Sequence, residues 1–201
     1  MKLYHCTGSR SARVLWLLEE LGLPYEIEVL PFDPEALRAV DYFAIDPYGK
    51  LPMLVDDAVT MFESVAIVQY VLERYGGGRL MPERGSADFG ECLQWMQFGE
   101  TTLMGPVSQV LQHVRLLPED QRRPEVAEQG RRTFAYYAGR LDRRLSSLTY
   151  LIDDEFSAAD IVVGYTLYAA DRCALLSPRL HNVCAYYQRL RDRPAFAKAI
   201  A

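Results

Sequence analysis

Apolar and polar positions change rhythm several times in the first half of the chain. Lys2 to His5 is a short strand candidate, and Tyr25 to Leu30 alternates, with Tyr25, Ile27 and Val29 on one face. Between them Val14, Leu15, Leu17, Leu18 and Leu21 form a helical stripe, which Gly22 and then Pro24 bring to an end. A second helix is expected over roughly 34–44, ending near the turn-rich Asp46-Pro47-Tyr48-Gly49. Leu51 to Val55 and Val59 to Phe62 read as two strands joined by Asp56-Asp57-Ala58. Glu63-Ser64 then opens a helix whose apolar residues are Val65, Ile67, Val68, Val71 and Leu72. The predicted order is β-α-β-α-β-β-α, a parallel start followed by an antiparallel hairpin.

Gly76-Gly77-Gly78 and the stretch from Pro82 to Gly85 break this pattern and place a linker at 77–86. Every periodic segment after it is helical, at roughly 87–116, 123–149, 157–172 and 177–192, with a short tail helix after Pro194. Two domains are expected, 1–77 and 87–201. Gly105-Pro106 lies inside the first long helix, and a kink is expected where Pro106 removes a backbone bond. At Phe156-Ser157-Ala158-Ala159-Asp160-Ile161, Ser157 can cap a helix while Asp160 returns to the Ser157 backbone N–H, with Phe156 and Ile161 as a hydrophobic staple.

Composition narrows the functional classes. The 201-residue chain has a formal net charge of -5. Residues 1–80 hold 7 Lys and Arg against 12 Asp and Glu, and the remainder holds 15 of each, so the first half offers no groove for nucleic acid. Arg131, Arg132, Arg140, Arg143 and Arg144 alternate with Glu128 and Asp142, as on a solvated helix face. Cys6, Cys92, Cys173 and Cys184 form no C-x-x-C pair and show no zinc spacing, and His5, His113 and His181 are scattered. No metal site is expected. Free cysteines fit a reducing compartment, no secretory signal is visible, and no apolar run is long enough to span a bilayer. The expectation is a cytoplasmic protein without membrane or nucleic-acid partners.

Candidate chemistry concentrates between Gly49 and Tyr75. Pro52 lacks a backbone donor and forces Leu51 into an extended conformation. With a cis Leu51-Pro52 bond, the Leu51 backbone N–H and C=O can pair with an added peptide, as in strand addition. A helix starting at Glu63-Ser64 offers unpaired N–H groups and the Ser64 hydroxyl to a carboxylate, while Glu63 can accept from an ammonium group. Such a set suits a small peptide with a free amino-acid head. It equally fits an ordinary hairpin followed by a capped helix.

The segments GKLPMLVDD and MFESVAI resemble the glutathione-site signature of the cytosolic glutathione S-transferases. VLWLLEELGLPYE resembles the family's first helix, and YLIDDEFSAADIVVG the buried capping box of its sixth, so the likeness covers essentially the whole chain. It implies an α/β plus all-α protein: a thioredoxin-like glutathione-binding domain followed by an all-helical domain. It also implies glutathione as co-substrate, bound through Lys50, Leu51, Pro52, Glu63 and Ser64. Lys50 would meet the glycine carboxylate, the residue before the proline the cysteinyl backbone, and the acid–serine pair the γ-glutamyl end. The activity implied is conjugation of the glutathione thiolate to a small apolar electrophile, a detoxification reaction, in a homodimer. The electrophile would lie between the domains, against the helix carrying Trp95, Phe98 and Met104.

A thiol of pKa about 8.5 must fall by about two units, to about 6.5, to be mostly ionised at neutral pH, roughly 2.7 kcal/mol. A hydrogen bond to a charged acceptor supplies about 1.5–3 kcal/mol and a helix N-terminus about 0.3–1 kcal/mol. A hydroxyl in the loop before the first helix can therefore supply most of the shift, and the helix alone cannot. Carried back without a gap from Arg13 and Gly22, the family's activating serine or cysteine falls on Gly8, which has no donor. A one-residue shift assigns the catalytic role to Ser9, with Thr7 and Ser11 next and Ser11 able to cap the helix instead. Cys6 ends the first strand, and Tyr4 lies within it, facing the sheet. Two alternatives stand beside this reading: a glutathione-dependent isomerase or peroxidase, and, because Gly8 departs from the family, a non-catalytic binding or regulatory protein on the same fold.

Overall fold

A computed structural model describes residues 1–31, 48–152 and 154–201, and the chain divides into two units. The first comprises Met1–Leu80 with Asp192–Ala201, the second Met81–Arg191. The helix expected at 34–44 lies outside the described residues.

The first unit is built on a four-stranded mixed sheet of order β2-β1-β3-β4. Strand β1 (Lys2–His5) runs parallel to β2 (Glu26–Val29) and antiparallel to β3 (Met53–Asp56), which pairs with β4 (Val59–Phe62). The hairpin turns through Asp57-Ala58, with Asp57 at φ 50°. Helix α1 (Ser11–Leu21) follows β1 and buries Val14, Leu17 and Leu18 completely. It ends in a Schellman motif: Gly22 is left-handed, its N–H reaches Glu19 O, and the Leu23 N–H reaches Leu18 O. Helix α2 (Ser64–Tyr75) follows β4 and buries Ile67, Val68 and Val71.

The tail from Asp192, which the sequence pattern assigns to the helical domain, groups with this unit. Three contacts hold it on α1. Phe196 is buried edge-on against Trp16 with ring centroids 4.8 Å apart, the Arg193 guanidinium donates twice to the Glu20 carboxylate at 2.7 Å, and Lys198 pairs with Glu19. A forked guanidinium matches a carboxylate geometrically, so the pair fixes orientation as well as proximity.

In the second unit, α3 (Ala87–Gln97) and α4 (Met104–Leu111) are joined by a π-helical stretch, Phe98–Leu103, and a second π-helical stretch, Gln112–Leu116, follows α4. Pro106, where a kink is expected, lies in the first turn of α4, directly after the first π-helical stretch, whose bonds run i→i+5. Helices α5 (Pro124–Arg144), α6 (Ala158–Asp171) and α7 (His181–Arg191) complete the bundle, and α8 (Pro194–Ile200) is the tail helix of the first unit. Gly99 is required by close approach: a Cβ there would lie 3.0 Å from side-chain carbons of Val162 and Val163 on α6. Thr166 spans the same contact, its hydroxyl donating to the Gly99 carbonyl at 2.9 Å.

The Ser157–Asp160 capping box forms as expected and is larger than the sequence pattern implies. Asp160 Oδ2 accepts from the Ser157 N–H at 2.8 Å and the Ser157 hydroxyl at 3.0 Å, while Oδ1 accepts from the Leu151 N–H at 3.0 Å and the Tyr186 hydroxyl at 2.8 Å. Burial pushes the Asp160 carboxyl up, and the bonds from Tyr186, Leu151 and Ser157 oppose that shift. One carboxylate thus joins the start of α6, α7 and the loop after α5.

Candidate active site

Strand register gathers the candidate residues at one end of the sheet. Met53 is opposite both Tyr4 on β1 and Phe62 on β4, so these three lie in a row across the sheet. Just beyond that row β1 runs out into Cys6-Thr7-Gly8-Ser9-Arg10, β3 is entered from Leu51-Pro52, and β4 leads into Glu63-Ser64. Three segments distant in sequence are neighbours because the strands pair in this register.

The loop after β1 is a turn in which the Ser9 N–H donates to the Cys6 carbonyl at 3.0 Å. Gly8 occupies its third position at φ 79°, the left-handed value a type II turn demands there. A residue with a side chain would be strained at that position, so the glycine serves the turn and the first side chain after it is Ser9. Ser9 is 8% exposed and Ser11 fully buried. Their hydroxyl oxygens are 2.6 Å apart, and Ser9 Oγ also accepts from the Ser11 N–H at 3.3 Å. Ser11 Oγ accepts from the Cys6 N–H at 3.1 Å and lies 3.2 Å from the Cys6 carbonyl and 2.9 Å from His5 Nδ1. The expected capping role of Ser11 is not observed: its hydroxyl stitches the loop to the end of β1, and the Ser11 N–H that opens α1 is taken by Ser9 Oγ. Thr7 is exposed, and Tyr4 packs with Met53 in the core as its place in the strand implies. Burial pushes the Cys6 thiol up, which keeps it protonated, and pushes the His5 imidazole down, which keeps it neutral.

At the other two segments, Leu51-Pro52 is cis. Lys50 is exposed, Leu51 half-buried and Pro52 buried. Glu63 stands immediately before α2 with φ 70° and ψ 103°, a conformation that non-glycine residues rarely hold and that clusters at ligand sites. Its side chain is exposed, no side chain caps α2, and the Ile67 N–H bonds the Glu63 carbonyl. Ser64 is buried, and its oxygen accepts from the guanidinium of fully buried Arg13 at 3.0 Å. An oxygen that accepts from a permanent cation keeps its own proton for a second partner. Arg13 also ties the first turn of α1, and so the Ser9 loop, to the start of α2.

The chain has counterparts among known proteins. The profile of the glutathione S-transferase N-terminal domain matches residues 3–79, and that of the glutathione S-transferase C-terminal domain matches residues 103–194. Glutathione S-transferase 3 of Schizosaccharomyces pombe is 32% identical, over 96% of this chain and 84% of its own length. The chain belongs to the glutathione S-transferase family. Glutathione S-transferase GstB of Escherichia coli is 31% identical over 94% of the chain and 91% of its own. Among solved structures, a theta-class glutathione S-transferase of Xanthomonas axonopodis pv. citri with glutathione bound superposes with TM-score 0.88 at 27% identity, covering 99% of this chain and 96% of that one. A glutathione transferase of Phanerochaete chrysosporium in complex with oxidised glutathione gives TM-score 0.87 at 27% identity, covering 98% and 93%. The thioredoxin-like sheet and the helical second domain are those of the family.

Two residues of this transferase carry roles that the sequence pattern does not signal. Arg13 serves in the sequence only to anchor the likeness, and its reach to Ser64 spans 51 positions, beyond any local pattern. His5 belongs to no metal or triad pattern, yet it sits six residues before Ser11 and bonds to it. Met104 is buried, whereas Trp95 and Phe98 are half-buried and stack edge-on at 5.1 Å. Among the described residues no cluster of His, Cys, Asp and Glu is placed to hold a metal, and no helix is long and apolar enough to cross a membrane.

Proposed function

We propose that this transferase conjugates the glutathione thiolate to a small apolar electrophile, with Ser9 as the catalytic hydroxyl. Glutathione lies along the Leu51 backbone, its γ-glutamyl ammonium against Glu63, its carboxylate at Ser64 and the N–H groups opening α2, and its glycine carboxylate near Lys50. The observation that carries this reading is the buried Arg13–Ser64 bond beneath a positive-φ Glu63. It leaves the Ser64 hydroxyl proton and the exposed Glu63 carboxylate side by side at an uncapped helix start, one donor and one acceptor, which is what an amino-acid head requires. The left-handed φ of Gly8 further supports Ser9, since it accounts for the glycine without loss of a catalytic position. Homodimerisation and a role in detoxification are part of the same proposal.

Calorimetric titration with glutathione tests the site. One event per subunit is expected, weakened at least tenfold in Glu63→Gln, which keeps the shape of the side chain but not its charge; a tenfold loss corresponds to about 1.4 kcal/mol. Ser64→Ala should weaken binding as well. Wild-type affinity in both variants would remove the assignment.

A further inference from the structure

We propose that His5 is a positioning residue that fixes the direction of hydrogen bonding at the active site: its Nδ1–H donates to Ser11, Ser11 donates to Ser9, and Ser9 keeps its own proton for the glutathione sulfur. This rests on Ser9 being the catalytic hydroxyl.

Counting protons leads to it. A hydroxyl has one proton and two lone pairs. The 2.6 Å contact between Ser9 and Ser11 can run in either direction. If Ser9 donates to Ser11, its single proton is consumed inside the protein and nothing remains for a thiolate. Activation by Ser9 therefore requires Ser11 to be the donor, and Ser9 Oγ then accepts from both the Ser11 hydroxyl and the Ser11 N–H. The one Ser11 proton is now committed to the shortest of its contacts, ahead of the Cys6 carbonyl at 3.2 Å. The 2.9 Å contact to His5 Nδ1 is a hydrogen bond only if the ring nitrogen is the donor. With that donor and the Cys6 N–H at 3.1 Å, both Ser11 lone pairs are filled and the account closes. His5 is buried, and burial holds its imidazole below the ordinary value, so the donor is the neutral Nδ1–H tautomer. No proton moves along the chain. The thiol loses its proton to water, and the aligned dipoles of three successive donors favour the anion that remains.

The tautomer can be read in the wild-type protein. In the glutathione complex of ¹⁵N-histidine-labelled protein, with His113→Gln and His181→Gln used for assignment, Nδ1 of His5 should be protonated; an unprotonated Nδ1 overturns the proposal. Thiolate absorbance against pH supplies the second arm. His5→Phe and Ser11→Ala should each raise the bound-thiol pKa by about one unit. His5→Asn, which keeps an N–H close to the Nδ1 position, should restore it. A shift in Ser9→Ala without one in His5→Phe or Ser11→Ala overturns the relay alone. No shift in Ser9→Ala overturns the Ser9 assignment, and the relay with it.

Discussion

At the scale of single residues, buried polar groups in this chain are held by more partners than local sequence can announce. Asp56, at the end of β3, is one case. Burial alone would raise its carboxyl, but the Tyr75 hydroxyl at 2.6 Å, the Tyr70 hydroxyl at 2.8 Å and the nearby Arg74 guanidinium outweigh that and hold it below the usual carboxylate value. A carboxyl with a depressed folded pKa contributes stability that is present above its unfolded pKa of about 3.9 and lost as pH falls through the folded value. Asp56→Asn should therefore be less stable than wild type at neutral pH, with the gap closing below about pH 4. Urea midpoints measured from pH 7 down to pH 3 check this, and a gap constant with pH would show that Asp56 is not held as the anion. Gly8 makes a related point. In the sequence its position looks like the loss of a catalytic hydroxyl, and only its φ of 79° shows that the turn itself demands glycine.

At the scale of elements, legibility followed the range of the interaction. The strands, α1, α2 and the long helices were readable because period and punctuation are local: apolar stripes, Gly22-Pro24, and the Ser157–Asp160 spacing. The π-helical stretch Phe98–Leu103 was not, and the approach of its Gly99 to α6 is a contact between segments distant in sequence. Nor was the full load on Asp160, because Tyr186 lies 26 positions away and Leu151 reaches it through a loop. The box separates two energetic roles. Ser157→Ala removes a cap and should cost about 1 kcal/mol, whereas Asp160→Ala leaves the Tyr186 hydroxyl and the Leu151 and Ser157 N–H groups buried without an acceptor and should cost about 3 kcal/mol or more. Chemical denaturation of the two variants should show that order. Equal losses would mean that Tyr186 and Leu151 find other partners. The N-terminus of α7 follows the same logic, its Asn182 and Val183 N–H groups being capped by Asp142 of α5, 40 and 41 positions earlier.

At the scale of the whole molecule, the family likeness rested on four stretches, two of them at the candidate site, and the structure supplies the physical links around these two. The pairing of Tyr4 and Phe62 with Met53 gathers the Ser9 loop, Leu51-Pro52 and Glu63-Ser64 at one end of the sheet, and Arg13 joins two of the three. The tail helix returns to α1 through Phe196 and Arg193, which hydrophobic period alone could not assign to a unit. Glutathione as co-substrate was thus legible from GKLPMLVDD and MFESVAI, while the Arg13–Ser64 and Ser11–His5 contacts around the proposed site were not. The central claim is that this scaffold stabilises a thiolate through Ser9, and the thiolate absorbance of bound glutathione, followed against pH, tests it most directly. The account predicts a bound-thiol pKa of about 6.5 in wild type, rising by about one to two units in Ser9→Ala with glutathione affinity retained. A wild-type thiol that titrates near its solution value of about 8.5 would contradict it.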